Sequence, residues 1–268
     1  MAPYSKYKKH SQTYHKALKM CLGMLFEYDT VQLDLIMKNF KIFRYFSAGE
    51  LLLWSLSVLI ILICYVCFSM SGTLSLIASL IGVTSLILCA KGNPLGQVLI
   101  IIFSLLYAVI SYDAKYYGEM ITYLGMTAPM ATVALIAWIR NPYKGNKSEV
   151  AIGRVTKRSI ISLIALTIGV TILFYFILKA LGTARLIPST LSIATSFVAA
   201  YLTYLRVPSF ALAYAANDVV LITMWLLAAS YDPSAISTVV CFCTFLLNDI
   251  YGYVSWKRMK RRQEASID

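Results

Sequence analysis

From Leu51 to Ala90 the chain runs forty residues without a charged side chain. At 1.5 Å per residue that is about 60 Å of helix, twice the hydrocarbon thickness of a bilayer. The segment therefore predicts two crossings, and the small polar pair Ser71-Gly72 in its middle marks the turn between them. The first two spans fall at about 49–70 and 72–90. Further apolar runs of spanning length lie at about 95–111, 117–138, 159–178, 187–205, 208–229 and 234–256, which makes eight spans. Pro94, Pro188, Pro208 and Pro233 stand at or near span starts, where a missing N–H costs nothing. Pro129 lies inside span 4 and predicts a kink there. Ahead of span 1, residues 31–46 place Leu33, Ile36, Met37, Phe40 and Phe43 at helical spacing with Lys38, Lys41 and Arg44 between them. That pattern fits an amphipathic helix lying in the membrane interface, or an ordinary basic juxtamembrane segment. Nothing before span 1 has the unbroken apolar core of a cleavable signal peptide.

Composition excludes a soluble enzyme. The chain is 59% hydrophobic and 13% charged, against about a quarter charged in soluble domains. Its net charge of +12 lies almost wholly between the apolar runs, which is membrane topology and not a nucleic-acid-binding face. With both termini in the cytoplasm, 21 Lys and Arg fall on the inside and only Lys115, Lys179 and Arg185 on the outside. This asymmetry orients an even number of spans in a bacterial-type inner membrane. Five of the six cysteines, Cys64, Cys67, Cys89, Cys241 and Cys243, lie inside apolar runs, and no spacing points to disulfides or zinc. There is no phosphate-binding G-x-x-x-x-G-K-[ST] loop, His10 and His15 are the only histidines, and no metal-ligating cluster appears. Neither a cofactor nor an enzyme is expected.

The chain repeats itself. Thr73-Leu74-Ser75-Leu76-Ile77-Ala78-Ser79 in span 2 returns as Thr190-Leu191-Ser192-Ile193-Ala194-Thr195-Ser196 in span 6, Ser111-Tyr112-Asp113 as Ser230-Tyr231-Asp232, and Trp138-Ile139-Arg140 as Trp256-Lys257-Arg258, at offsets of 117 to 119. Spans 2–4 and 6–8 then form two parallel three-helix repeats joined by span 5, with span 1 as an addition. The expected fold is an all-α membrane protein of eight transmembrane helices, a 3+1+3 duplicated core plus one N-terminal helix. Its segments are 1–48, a basic amphipathic N-terminal part; 49–70, the additional helix; 71–140, the first repeat; 141–185, a linker with span 5; 186–256, the second repeat; and 257–268, a basic tail. Parallel repeats are one of the arrangements that support alternating access around a central site.

Charged side chains at membrane depth mark functional sites. Glu50, Glu119 and Lys179 lie at span ends, where they can snorkel to the interface. Asp218 and Asp249 do not. Each follows an asparagine, and on antiparallel spans 7 and 8 both come to roughly 10–15 Å above the inner boundary. Asn217, Asp218, Asn248 and Asp249 thus form one polar layer, which serves either a ligand or helix packing. Adjacent residues point about 100° apart, so one of each pair is expected to face a central cavity. Tyr214, Trp225, Tyr251 and Tyr253 share these spans, while Gln97, Tyr107, Tyr112 and Tyr123 lie on the matching repeat. Carboxamides with aromatic faces suit a flat heterocycle carrying hydroxyls. The candidate substrate-binding set is Asn217, Asp218, Trp225, Asn248, Asp249, Tyr251, Tyr214, Gln97, Tyr107 and Tyr123. Trp138 and Trp256, at span ends, are expected to be interfacial belt residues.

Asn217 within span 7 and Asn248-Asp249-Ile250-Tyr251-Gly252 followed by Trp256 and a basic tail resemble the PnuC family of vitamin transporters over about residues 71–262 of this chain. The resemblance implies a SWEET-like core, an occluded site between the two halves, a homotrimer, and facilitated diffusion of nicotinamide riboside followed by cytosolic phosphorylation. Where members selective for nicotinamide riboside carry two tryptophans one turn apart, this sequence has Phe210 and Ala213, with Tyr214 beside them. In the first repeat the Asn-x-x-Tyr equivalent falls near Met130 and Val133 and is lost. Thiamine, riboflavin and deoxynucleosides therefore stay open as substrates, and the expected partners are one such small molecule and the lipid bilayer. For a cationic pyridinium, Asp218 or Asp249 would balance the charge.

The topology is testable directly. Green fluorescent protein fused after Asp268 is expected to fluoresce and alkaline phosphatase at the same point to stay inactive; an active phosphatase would reverse the orientation.

Overall fold

The computed structural model describes residues 45–68, 73–113, 117–183, 185–230 and 235–266. The expected interfacial helix over 31–46 lies almost wholly outside the described residues. The chain divides into two compact units, residues 1–53 and 54–268. In the first, Ser47 and Glu50 form a capping box, with Ser47 N donating to Glu50 Oε2 at 2.7 Å and Glu50 N to Ser47 Oγ at 3.3 Å. This box opens helix α1 (Ala48–Phe68).

The helices that follow are α2 (Thr73–Ala90), α3 (Leu95–Asp113), α4 (Tyr117–Thr122), a π turn (Tyr123–Thr127), α5 (Ala128–Ile139), α6 (Lys157–Ala180), α7 (Leu186–Tyr204), α8 (Ser209–Ala229) and α9 (Ala235–Glu264), with strands β1 (Pro142–Tyr143) and β2 (Asn146–Val150) between α5 and α6. Among the described residues, eight stretches are long and apolar enough to cross a membrane, α4 through α5 counting as one. Large apolar side chains stand outward on them, among them Val66, Ile161, Phe176 and Ile187, as lipid contact requires.

Three local features depart from the sequence pattern. Pro129 sits beside a π turn instead of a plain kink: Ala128 N bonds to Tyr123 O, one residue further back than in an α-helix. The basic segment after Trp256 continues α9 to Glu264, because Lys, Arg and Gln are good helix formers and no Gly or Pro interrupts them. A β-hairpin interrupts the helical pattern; Lys144 and Gly145 both take positive φ, 47° and 79°, as a two-residue type I′ turn demands.

The helices close a ring. α2 packs on α3, α3 on α4 and α5, α5 on α7, α7 on α8, α8 on α9, and α9 back on α2. The last span of each three-helix unit thus packs on the first helix of the other. Trp138, ending α5, donates its indole N–H to Thr203 O at 2.9 Å, and Trp256, in α9, donates to Cys89 O at 2.8 Å. Both rings are fully buried and lie 5.4 Å apart, with Phe210 4.8 Å from Trp256. They are cross-links between the two three-helix halves of the ring, not interfacial belt residues, because a buried indole N–H needs a partner and a helix-end carbonyl supplies one.

The two acceptors occupy matching places. α2 ends with Gly92 at φ 67° and α7 with Arg206 at φ 60°. In each, the left-handed residue bonds back to the acceptor carbonyl, Gly92 N to Cys89 O and Arg206 N to Thr203 O, and the next residue bonds one further back. Cys89 and Thr203, like Gly92 and Arg206 and like Pro94 and Pro208, are 114 positions apart. The hydrogen-bonded correspondence therefore runs three residues off the 117 offset of the Thr-Leu-Ser motif, whose recurrence in similarly composed apolar helices does not mark equivalent depths. The linker between the units bonds to both ends, Val150 N to Gly92 O at 3.0 Å and Gly153 N to Arg206 O at 2.9 Å. Gly153 lies so close to Leu205 O that a Cβ would stand 2.0 Å from it. Gln263 of α9 holds the same linker, accepting from Ile152 N at 2.8 Å and donating to Val150 O at 3.0 Å.

Trp256→Phe keeps the ring but leaves Cys89 O without its cross-link. It is expected to cost about 1–3 kcal/mol, read as a lowered unfolding midpoint in detergent; an unchanged midpoint would remove the cross-link from the account.

Candidate functional site

Inside the ring lies a cavity of about 160 Å³, room for on the order of ten waters. Its lining includes Phe210, Ala211 and Gly252 near the tryptophan pair and Gly118 and Glu119 of α4. The Pro129-linked π turn carries Tyr123 and Met126 onto its wall.

The centre is polar. Asn217 and Asp218 of α8 and Asp249 of α9 line the cavity and are buried. Asn217 Oδ1 accepts from Thr195 Oγ1 at 2.8 Å and Ser192 Oγ at 3.2 Å, so two hydroxyls of the repeated Thr-Leu-Ser segment fix its amide. The segment's first-unit copy acts differently, Ser79 Oγ returning to its own helix at Ser75 O, 2.9 Å. The carboxyl groups of Asp218 and Asp249 lie within hydrogen-bonding reach of each other. Asp218 Oδ2 is buried without a partner. An unmatched buried acceptor costs free energy until a donor reaches it.

Aromatic groups complete the wall. Phe210 packs edge-on to Tyr214 at 6.3 Å on the α8 side. On the other side Tyr107 and Tyr123 stand 4.5 Å apart, with Phe103 5.6 and 6.0 Å from them. Gln97 Nε2 is held against Cys89 Sγ at 3.4 Å.

Eight of the ten candidate residues, Asn217, Asp218, Trp225, Asp249, Tyr214, Gln97, Tyr107 and Tyr123, line this cavity. Asn248 and Tyr251 do not. Asn248 is turned to α1, its Nδ2 donating to Ser57 Oγ and Thr244 O, both at 2.9 Å. The 100° step between neighbours explains this: with Asp249 on the cavity side, Asn248 faces the added helix. On α8, by contrast, both Asn217 and Asp218 reach the wall. The sequence reading missed Glu119. It lines the cavity and hydrogen-bonds Tyr107 instead of snorkelling, while Lys179 is exposed as expected. The available signal was its place one helical turn before Tyr123.

The two asparagines should therefore separate in experiment. Asn248→Ala is expected to lower the unfolding midpoint and leave ligand affinity within about threefold, while Asn217→Ala weakens binding by roughly 1–3 kcal/mol. The opposite pattern in a calorimetric titration would exchange their roles.

The family model described as nicotinamide mononucleotide transporter matches residues 72–258. The chain is similar to the nicotinamide riboside transporter PnuC of Neisseria mucosa, 24% identical over 202 residues that cover 74% of this chain and 77% of that protein. It is also similar to the nicotinamide riboside transporter PnuC of Haemophilus influenzae, 25% identical over 190 residues, 70% of this chain and 81% of that one. Among solved structures, the crystal structure of the vitamin B3 transporter PnuC superposes with a TM-score of 0.70 at 22% identity, covering 81% of this chain and 94% of its own. These relatives are transporters and not enzymes. With the ring of spans and the cavity inside it, the match places this chain in the nicotinamide mononucleotide transporter family, that of the PnuC proteins, as a multi-pass membrane transporter of a small molecule.

Proposed function

We propose that this transporter carries nicotinamide riboside across the bacterial inner membrane by alternating access at the cavity between its two three-helix units. The observation that supports the reading is Asp218 Oδ2, a buried acceptor that lacks a donor, on a residue lining a cavity whose wall also carries tyrosine, phenylalanine and tryptophan rings. A riboside brings what is missing, hydroxyl donors on the sugar and a flat ring for the tyrosines. The lining includes Glu119, Asp218 and Asp249 and, among the described residues, no Lys, Arg or His. That balance favours a cation over a neutral compound, and it opposes a phosphate, whose charge no wall residue offsets.

Both termini face the cytoplasm in this reading, and the assembly is a homotrimer, as the family resemblance implies. No phosphate-binding loop for ATP is present in the sequence; in this reading transport runs downhill as facilitated diffusion, and phosphorylation in the cytosol retains the substrate. Phe210 packs against Trp256 and Trp138 where the paired tryptophans of nicotinamide-riboside-selective relatives would begin. This substitution supports a second reading, in which the same cavity takes another vitamin or nucleoside such as thiamine, riboflavin or a deoxynucleoside.

Proteoliposomes test both mechanism and substrate. Labelled nicotinamide riboside is expected to enter until inside and outside concentrations match, with or without an imposed proton or sodium gradient, and Asp218→Asn is expected to slow entry at least about tenfold. Gradient-driven accumulation would overturn facilitated diffusion. Faster entry of a deoxynucleoside would move the substrate to the second reading.

A further inference from the structure

The cavity has two acidic poles. One is the Asp218–Asp249 pair, whose carboxyls lie within hydrogen-bonding reach of each other. The other is Glu119, on the opposite half of the ring. Glu119 stands nineteen residues before Trp138 along its span, whereas Asp249 stands seven before Trp256. Because the two indoles touch at 5.4 Å, the difference of twelve residues separates the poles by about 18 Å along the helices.

Their chemistry differs. The aspartate pair sets two carboxyls side by side, and Asp218 Oδ2, buried without a partner, calls for a hydrogen-bond donor. Glu119 has no second carboxyl beside it among the residues that line the cavity. Its partner there is the Tyr107 hydroxyl, which donates a hydrogen bond but brings no counter-charge. Around it Tyr107, Tyr123 and Phe103 present ring faces and edges within 4.5 to 6.0 Å of one another. A carboxylate set among aromatic rings is the arrangement that binds fixed-charge organic cations, through ring quadrupoles and direct charge pairing together.

We infer that Glu119, with Tyr107 and Tyr123, forms a cation subsite that takes the positively charged heterocycle of the substrate, while Asn217 and Asp218 take its hydroxyl-bearing end. The inference rests on the cavity being the substrate site, and it assigns to Glu119 the charge that sequence reasoning gives to the aspartates. Glu119 is thereby the residue that separates charged from uncharged ligands of the same shape, and Tyr107 positions its carboxylate.

A matched ligand pair isolates this role. Nicotinamide riboside and its 1,4-dihydro form share ribose and carboxamide and differ by the ring's charge; thiamine supplies a second fixed-charge heterocycle. Calorimetric titration of the purified full-length protein is expected to show Glu119→Gln weakening the charged ligand at least tenfold and the dihydro form less than threefold. Tyr107→Phe shifts the charged-to-uncharged ratio in the same direction by a smaller factor, and Asp218→Asn weakens both ribosides alike. An unchanged ratio in Glu119→Gln, with Asp218→Asn still impaired, overturns the subsite and leaves the cavity as the binding site. Should Glu119→Gln fail to fold, an unchanged ratio in Tyr107→Phe overturns it equally. If wild type binds thiamine and not nicotinamide riboside, the substrate of the preceding section is wrong and the effect of Glu119→Gln on thiamine decides the subsite. Wild type that binds neither cation overturns both.

Discussion

Two indole N–H groups hold this ring of helices closed. Each three-helix unit ends in a tryptophan, and each tryptophan reaches the final turn of the other unit's first helix, Trp138 to Thr203 O and Trp256 to Cys89 O. Those carbonyls lie in the closing turns of their helices, where each accepts one backbone N–H from the left-handed residue, Gly92 or Arg206, and keeps a lone pair for the indole. The rings that satisfy them pack on one another and on Phe210. The linker then ties the two left-handed turns beyond the same carbonyls, at Gly92 O and Arg206 O. In a membrane, where apolar burial gives helices little preference for each other over lipid, such directional contacts set which helices are neighbours.

The site follows from that closure. With both units fastened at the tryptophan end, the space between them is lined there by Phe210, Ala211 and Gly252, and its lining also takes in Gly118 and Glu119 of α4. The break in the fourth span belongs to the same design. Pro129 cannot donate a backbone bond, the preceding turn relaxes to a π turn, and Tyr123 and Met126 on that turn face the cavity. Glu119 lies one turn before it. Polar groups that the hydrocarbon would penalise on the outside line this inner surface, and Asp218 Oδ2, buried among them without a partner, is a place where a substrate donor gains.

The eight spans and most of the wall were legible in the sequence, because hydropathy and the rarity of charge at membrane depth are strong signals: Asn217, Asp218 and Asp249 stood out for that reason. Facing was harder to read. Asn248 and Asp249 differ by one helical step, and nothing in their composition tells which meets the cavity and which meets Ser57 of α1. Trp138 and Trp256 look like belt residues because their position at span ends is the same in either role; only the acceptor carbonyls across the ring distinguish the two. Glu119 was passed over for the same reason, as a carboxylate near a span end snorkels or turns inward according to neighbours that sequence distance does not reveal. The hairpin at 142–150 is too short for a strand pattern to register, and its turn uses Lys144 where a glycine or asparagine would have announced it.

The most direct measurement is a ligand-bound structure of the full-length protein with nicotinamide riboside. The account predicts the ligand inside the ring, its hydroxyls within hydrogen-bonding distance of Asn217 and Asp218 Oδ2 and its ring against Tyr107 and Tyr123. A ligand seated instead on the Asn248–Tyr251 face of α9 against α1, with the cavity unchanged, would contradict it.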